Sequence, residues 1–268
     1  MAAQRRAPRP SGRKADGQHF LRSPRLASEL VAQARISARD LVMEIGAGSG
    51  RLTLPLAERA GRVIAVERDP VWADRLRSSF VNDSQVTIVR ANALRVTLPP
   101  DPYRVFGNLP FGFGSRILAR FLDDAGSPLQ RLDAMLQYEM ARKRAQIHPS
   151  TLVSLGWQPW WEFRLLRRVP RTAFEPIPSV DAGMLSVTRR DPSLLPVTAR
   201  PRYVRLIAKG FAASATPLRL TFRNGLPPRD WTRLVRERGI AADTFAAELD
   251  VFDWVALFER VQGTFDRY

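Results

Sequence analysis

Residues 41–50, LVMEIGAGSG, join a short apolar run to glycines at every second position from Gly46 to Gly50. The run predicts a buried β-strand, and glycines directly after a first strand let the backbone approach a ligand at the carboxyl end of a sheet. The chain continues with alternating helical and strand patterns: RLTLPLAERAG, RVIAVE, PVWADRLRSSF and QVTIVR. This alternation predicts an α/β fold, a parallel sheet with helices on both faces.

The pattern extends beyond residue 100 with the strands YRVFG and LDAMLQ, separated by a helix predicted over 115–123. WWEFRLLRRV and AGMLSVTRR then predict an antiparallel pair of strands at the sheet edge. We expect the strand YRVFG to stop near Gly107, because glycine weakens a strand and Pro110 cannot donate to a ladder. We predict three parts: a disordered basic arm (1–14), an α/β domain (15–192) and a small helical domain (193–268).

Charge indicates the partner. The 268 residues include 42 Lys and Arg against 26 Asp and Glu, a net charge of +16, and almost all the basic residues are Arg. Arg suits phosphate and stacks on bases, so nucleic acid is the leading partner, with the helical domain as a candidate RNA-binding part. A GC-rich genome would also favour Arg over Lys, but it would not explain the shortage of acids.

Several classes of protein are disfavoured. No run of eighteen apolar residues occurs, and the first residues, MAAQRRAPRPSGRK, lack the apolar centre of a signal peptide. We therefore expect no membrane span and a cytoplasmic location. The chain has no Cys, and its two histidines, His19 and His148, are far apart, so no metal site is expected.

A carboxylate ends the next strand in the chain: Glu67 lies 21 residues after Gly46. A carboxylate there can accept hydrogen bonds from both ribose hydroxyls of a nucleoside cofactor. The glycines differ in spacing from G-x-G-x-x-G, so a dinucleotide is not indicated. A simple tight turn is the alternative.

Residues 104–114, RVFGNLPFGFG, place Asn108, Leu109 and Phe111 beside the glycine turn. The amine of a nucleobase is a poor nucleophile because its lone pair is delocalised into the ring. The Asn108 side-chain oxygen and the Leu109 carbonyl could accept from its hydrogens, with Phe111 stacking on the base. An Asx-type turn with a buried Phe is the alternative. In RTAFEPIPSVD, residues 171–181, Phe174 could stack on the other face of a flipped base or serve as a hydrophobic plug.

GQHFL, EIGAGSG, AVE, FGNLPF and FEPIPSVD, in this order over residues 17–190, resemble the rRNA adenine dimethyltransferases. The resemblance implies a class I S-adenosylmethionine (SAM)-dependent methyltransferase fold: a Rossmann-like, mostly parallel seven-stranded sheet with a small all-helical C-terminal domain. GNLPFG, the Arg-rich arm and FDWVALFERV are more similar to the erythromycin-resistance (Erm) branch, which methylates N6 of an adenine in 23S rRNA. The KsgA branch, which acts on small-subunit rRNA, usually shows NLPYN.

The resemblance also implies site residues. Asn108 would touch both the cofactor and the target adenine. The cofactor would be held by Gln18, His19, Leu21, Gly46, Glu67, Asn92 and Ala93, and the target adenine by Asn108, Leu109, Phe111 and Phe174. Two positions depart from the family pattern: His19 stands where Asn is more frequent, and Asn92 stands in place of the usual Asp. An amide oxygen accepts more weakly than a carboxylate, so we expect weaker SAM binding than in a typical relative.

The resemblance further implies a monomer that acts on 23S rRNA before ribosome assembly is complete, with macrolide resistance as the outcome. Three alternatives stay open. The first is a KsgA-type enzyme with the same chemistry. The second is a DNA adenine methyltransferase, although the chain has little room for a separate sequence-reading domain. The third is a non-enzymatic RNA-binding relative.

Overall fold

The computed structural model describes residues 19–147 and 151–261; the predicted arm (1–14) and Gln18 lie outside the described residues. The strands are β1 (Phe20–Leu21), β2 (Leu41–Ile45), β3 (Arg62–Glu67), β4 (Val86–Arg90), β5 (Tyr103–Asn108), β6 (Leu129–Gln137), β7 (Trp161–Val169), β8 (Phe174–Glu175) and β9 (Ala182–Arg189). Seven of them form one sheet in the order β4-β3-β2-β5-β6-β9-β7, while β1 and β8 form a separate antiparallel pair.

The large sheet is mostly parallel. Strands β4, β3, β2, β5 and β6 pair in parallel, and β9 lies antiparallel between β6 and β7. This confirms the predicted α/β class and the antiparallel pairing of the last two long strands. The carboxyl ends of β2, β3, β4 and β5 therefore meet at one edge of the sheet, where open α/β folds bind ligands.

The sheet stops within this stretch, before Pro110, as predicted, although β5 runs past Gly107 and ends at Asn108. Gly107 pairs with both Ile45 and Ala134. A Cβ at Gly107 would lie 2.6 Å from the backbone oxygen of Ile45, so the missing side chain allows close strand packing here. Asn108 is thereby held by the sheet itself at the start of the turn.

Helices cover both faces of the sheet. They are α1 (Pro24–Gln33), α2 (Thr53–Ala57), α3 (Pro70–Ser79), α4 (Gly114–Leu122), α5 (Tyr138–Arg144), α6 (Leu152–Leu155), α7 (Arg200–Ala212), α8 (Leu218–Thr221), α9 (Pro228–Arg238) and α10 (Val251–Arg260). Local sequence explains where several begin. Before α3, the Asp69 carboxylate accepts from the backbone N–H groups of Val71 and Trp72, and Pro70 occupies the first helical position.

The described residues after Arg189 contain helices and no strand, and they share a hydrophobic core with one face of the sheet. The Trp160 ring meets the Tyr203 ring edge-on at 6.0 Å, and the Trp160 indole donates to the carbonyl of Leu195 at 2.9 Å. The division at 192/193 stays a prediction. Among the described helices, none has the length and apolar character needed to cross a bilayer.

Candidate active site

The turn after β2 carries three glycines in the left-handed region. Gly46, Gly48 and Gly50 have φ angles of +77°, +51° and +77°. Only glycine adopts this conformation at little cost. At Gly48 a Cβ would also lie 2.5 Å from Cε1 of Phe20. Without side chains at Gly46 and Gly48, the backbone of the turn itself lines a cavity.

Glu67 ties this turn to the end of β3. The side chain is buried; its Oε2 accepts from the backbone N–H of Gly48 at 2.8 Å, and its Oε1 accepts from that of Asp69 at 2.7 Å. A carboxylate oxygen has two lone pairs, so each oxygen retains capacity for one more donor. These two acceptor oxygens thus fit a ribose, whose hydroxyls can donate to them.

A second carboxyl group lies behind the turn. Glu44 is fully buried, and burial raises the pKa of its carboxyl to about 8. The hydroxyl of Thr53 donates to its Oε2 at 2.7 Å and opposes this rise. The negative charge of Glu67 adds to the rise. Its Oε1 has no partner within residues 19–147 and 151–261. Glu44 is thus held mainly in the neutral form at neutral pH.

Asn108 is oriented by a backbone contact. Its amide nitrogen donates to the carbonyl oxygen of His19 at 2.5 Å. A carbonyl oxygen can only accept, so this contact identifies the two ends of the amide and leaves Oδ1 as an acceptor without a partner in residues 19–147 and 151–261. The N–H of Leu109 donates to Met135 at 3.1 Å, while the Leu109 carbonyl accepts no hydrogen bond from the described part of the chain.

His19 connects this turn to the loop after β8. Its Nδ1 lies 2.7 Å from the carbonyl oxygen of Pro176, which requires the proton to be on Nδ1. Its ring centroid lies 5.5 Å from that of Phe111, at an interplanar angle of 44°. The start of the described chain therefore bridges the turn at Asn108 and the loop at Pro176.

The glycine turn, Glu67 and the turn at Asn108 line the same cavity. Most of the predicted site residues line this cavity: His19, Gly46, Glu67, Asn92, Ala93, Asn108, Leu109 and Phe111. The roles assigned to them stay predictions. Sequence reasoning missed further lining residues: Phe20, Arg68, Leu94, Phe113 and Ile117. Arg68 and Leu94 directly follow predicted residues, and this adjacency was the signal available for them.

Two predicted residues do not line the cavity. Leu21 and Phe174 lie opposite each other in the β1–β8 pair, with exposures of 3% and 0%, and both pack into a core cluster. Successive side chains of a strand point to opposite faces, so Phe20 rather than Leu21 faces the glycine turn. The Phe174 ring is fully buried and has no exposed face on which a base could stack. The sequence left open a stacking role or a role as a hydrophobic plug, and this burial favours the plug.

Comparisons with known proteins agree with this geometry. The family model for "Ribosomal RNA adenine dimethylase" matches residues 9–263. The chain is 31% identical to the mycinamicin-resistance protein MyrB of Micromonospora griseorubida over 96% of this chain and 81% of the relative. It is 29% identical to ribosomal RNA small subunit methyltransferase A of a Synechococcus strain, over 92% of each. The crystal structure of the 23S rRNA methyltransferase ErmE superposes with a TM-score of 0.81 at 27% identity, covering 90% of this chain and 99% of that one.

Proposed function

Because the chain belongs to the ribosomal RNA adenine dimethylase family, we propose that it methylates the N6 amine of one adenine in 23S rRNA. The chain is an rRNA adenine N6-methyltransferase that uses SAM. The choice of 23S rRNA is supported by similarity to ErmE, and a resistance role against macrolide-type antibiotics is supported by similarity to MyrB.

The observation that carries the chemistry is the Oδ1 of Asn108, which has no hydrogen-bond partner among the described residues. Asn108 lines the cavity beside the glycine turn, and its amide nitrogen is held by the carbonyl oxygen of His19. Together with the Leu109 carbonyl it offers two acceptors for the two hydrogens of an adenine amine. Hydrogen bonds to these acceptors favour a pyramidal nitrogen whose lone pair is available for bonding.

The cofactor would be held at the glycine turn, with Glu67 at its ribose and Asn92 and Ala93 near its adenine. When bound, SAM supplies an electrophilic methyl group on a positively charged sulfonium. The chain's own residues position the amine: Asn108 and Leu109 orient its hydrogens, and Phe111 offers a ring face to the base. The adenine nitrogen would gain this methyl group as its bond to sulfur breaks, the sulfonium would leave as a neutral thioether, and the nitrogen would lose one proton to solvent. No strong base is needed, and orientation can contribute on the order of 7–11 kcal/mol at best.

Other parts of the proposal concern the substrate. We propose that the protein acts as a monomer in the cytoplasm on rRNA that is not yet fully assembled, since the target base must be unpaired and flipped into the cavity. The helical segment after Arg189 would add RNA-binding surface. The logarithm of the RNA-binding constant should fall linearly with the logarithm of the salt concentration. Removing one Arg that contacts phosphate should reduce the slope of this line by about one.

The test uses the purified protein with radiolabelled SAM and four separate substrates: naked 23S rRNA, naked 16S rRNA, assembled small subunits and duplex DNA. Label confined to one adenine of 23S rRNA, mapped by primer extension, is the expected result. Asn108→Ala should lower the methylation rate by roughly a hundredfold or more, the scale seen when one catalytic hydrogen-bonding group is removed. Asn82→Ala, an exposed residue outside the cavity, is the matched control and should keep the full rate.

A second candidate is supported by the Synechococcus relative, whose name assigns it to the small subunit. Label on small subunits or 16S rRNA, with none on 23S rRNA, would favour this candidate and leave the chemistry at Asn108 unchanged. Absence of label on every substrate, with RNA binding intact, would instead indicate a non-enzymatic relative.

A further inference from the structure

Phe113 has a large aromatic side chain that the core does not use. The residue is 37% exposed and belongs to neither of the two hydrophobic core clusters found in residues 19–147 and 151–261. It nevertheless lines the cavity, directly before the first residue of α4. The guanidinium carbon of Arg116 lies 6.0 Å from the ring centroid, a distance at which a cation is attracted to an aromatic face. Core packing therefore does not account for an aromatic ring at this position.

Helix α4 places Phe113 on the side of the cavity that the turn after β4 forms. Residues four and seven apart share one face of a helix, so Phe113 lies on the same face as Ile117 and Arg120. The Arg120 side chain donates to the carbonyl oxygen of Val96 at 3.3 Å, which brings this face against the turn after β4. Ile117 lines the cavity and belongs to the core cluster against which Leu94 packs. Phe113 thus borders the end of the cavity where this turn lies.

Phe111, two residues earlier, lies on the other side. It packs against the core cluster that contains Phe174, and its ring centroid lies 5.5 Å from that of His19. Val105 and Phe106 are consecutive in β5 and belong to different clusters, so the two clusters lie on opposite faces of the sheet. The two rings of the sequence FGF, residues 111–113, therefore border opposite sides of the cavity.

The proposed reaction brings two planar bases into this cavity: the target adenine and the adenine of SAM. The target amine belongs at Asn108, which contacts His19 and so lies on the side of Phe111. The base of SAM belongs at the turn after β4, on the side of Phe113. We propose that the cofactor's adenine stacks on the ring of Phe113, so that the FGF sequence supplies one ring to each base. This inference rests on the proposed function and on its placement of the cofactor.

The test measures binding of S-adenosylhomocysteine to the full chain by isothermal titration calorimetry. Phe113→Ala should weaken binding by about tenfold, the scale expected for the loss of one stack between a base and an aromatic ring. Phe113→Tyr keeps a ring and should bind within about twofold of the unchanged protein. Phe252→Ala is the matched control and should leave binding unaltered. Phe252 is also exposed, at 45%, and has Arg190 over its ring at 5.7 Å, but it lies outside the cavity.

A second measurement separates the cofactor from the RNA. With SAM saturating, the KM for the rRNA that the protein methylates should agree within about twofold between Phe113→Ala and the unchanged protein. Unaltered binding of S-adenosylhomocysteine by Phe113→Ala would overturn the inference, and a raised KM for rRNA in the same variant would assign the ring to an RNA base. Equal weakening by Phe113→Ala and Phe113→Tyr would also overturn it, because loss of the ring would not be the cause. Absence of binding by the unchanged protein would refute the cofactor placement itself.

Discussion

Replacing Glu44 by Gln should flatten the pH dependence of stability between about pH 5 and 8. Burial raises the pKa of the Glu44 carboxyl from 4.5 to about 8, with Thr53 opposing the rise and Glu67 adding to it. Between these values the folded protein retains a proton that the unfolded chain has released. The free energy of unfolding therefore falls as the pH rises, and the loss is complete above the folded-state pKa.

The size of the effect follows from the two pKa values. Each pH unit between them costs about 1.36 kcal/mol, so the full loss is about 5 kcal/mol. Gln has the same shape and cannot ionise, and its oxygen can still accept from Thr53 as Glu44 does at 2.7 Å. The stability of Glu44→Gln relative to the unchanged protein should therefore rise by about 1.4 kcal/mol per pH unit across this interval.

The assay is urea unfolding of both proteins at about pH 5.5, 6.5 and 7.5. Glu58→Gln, which removes an exposed carboxylate paired with Arg59, is the control and should follow the profile of the unchanged protein. Parallel profiles for Glu44→Gln and the unchanged protein would refute the reasoning. They would mean that Glu44 is ionised in the folded state at the lower pH values.

Two further substitutions test the site. Gly48→Ala should lower the free energy of unfolding by about 2 kcal/mol and weaken S-adenosylhomocysteine binding, because φ is +51° and the new Cβ would meet Phe20. Gly112→Ala, where a Cβ meets nothing within 4 Å, should keep its stability in the same urea titration. Phe174→Leu should cost about 1 kcal/mol of stability yet keep the methylation rate within about twofold, because the ring is buried. A hundredfold rate loss would restore the base-stacking role of Phe174.

The order of elements was predictable from the sequence because period-two and helical patterns are local. The alternation from residue 41 onward led to the correct sheet class and to the edge pair of strands. The sequence also indicated that the glycine turn and Asn108 lie at the site. Closely spaced glycines and an Asn have few purely structural uses at the end of a strand. These are the features for which residue type alone restricts the conformation.

Other features depended on partners distant in the chain. β5 continues through Gly107 because Ile45 and Ala134 flank it, which no local pattern shows. Leu21 and Phe174 lie away from the cavity because they pair with each other, and this pairing joins segments that are far apart in sequence.

The bridge made by His19 also bears on how the protein is synthesised. Its two contacts join residues separated by 89 and 157 positions along the chain. The contact with Pro176 can form only after about two thirds of the 268 residues have been translated. Such long-range closure is slow compared with local folding. We expect stalled nascent chains that end before residue 176 to be inactive in a cell-free methylation assay.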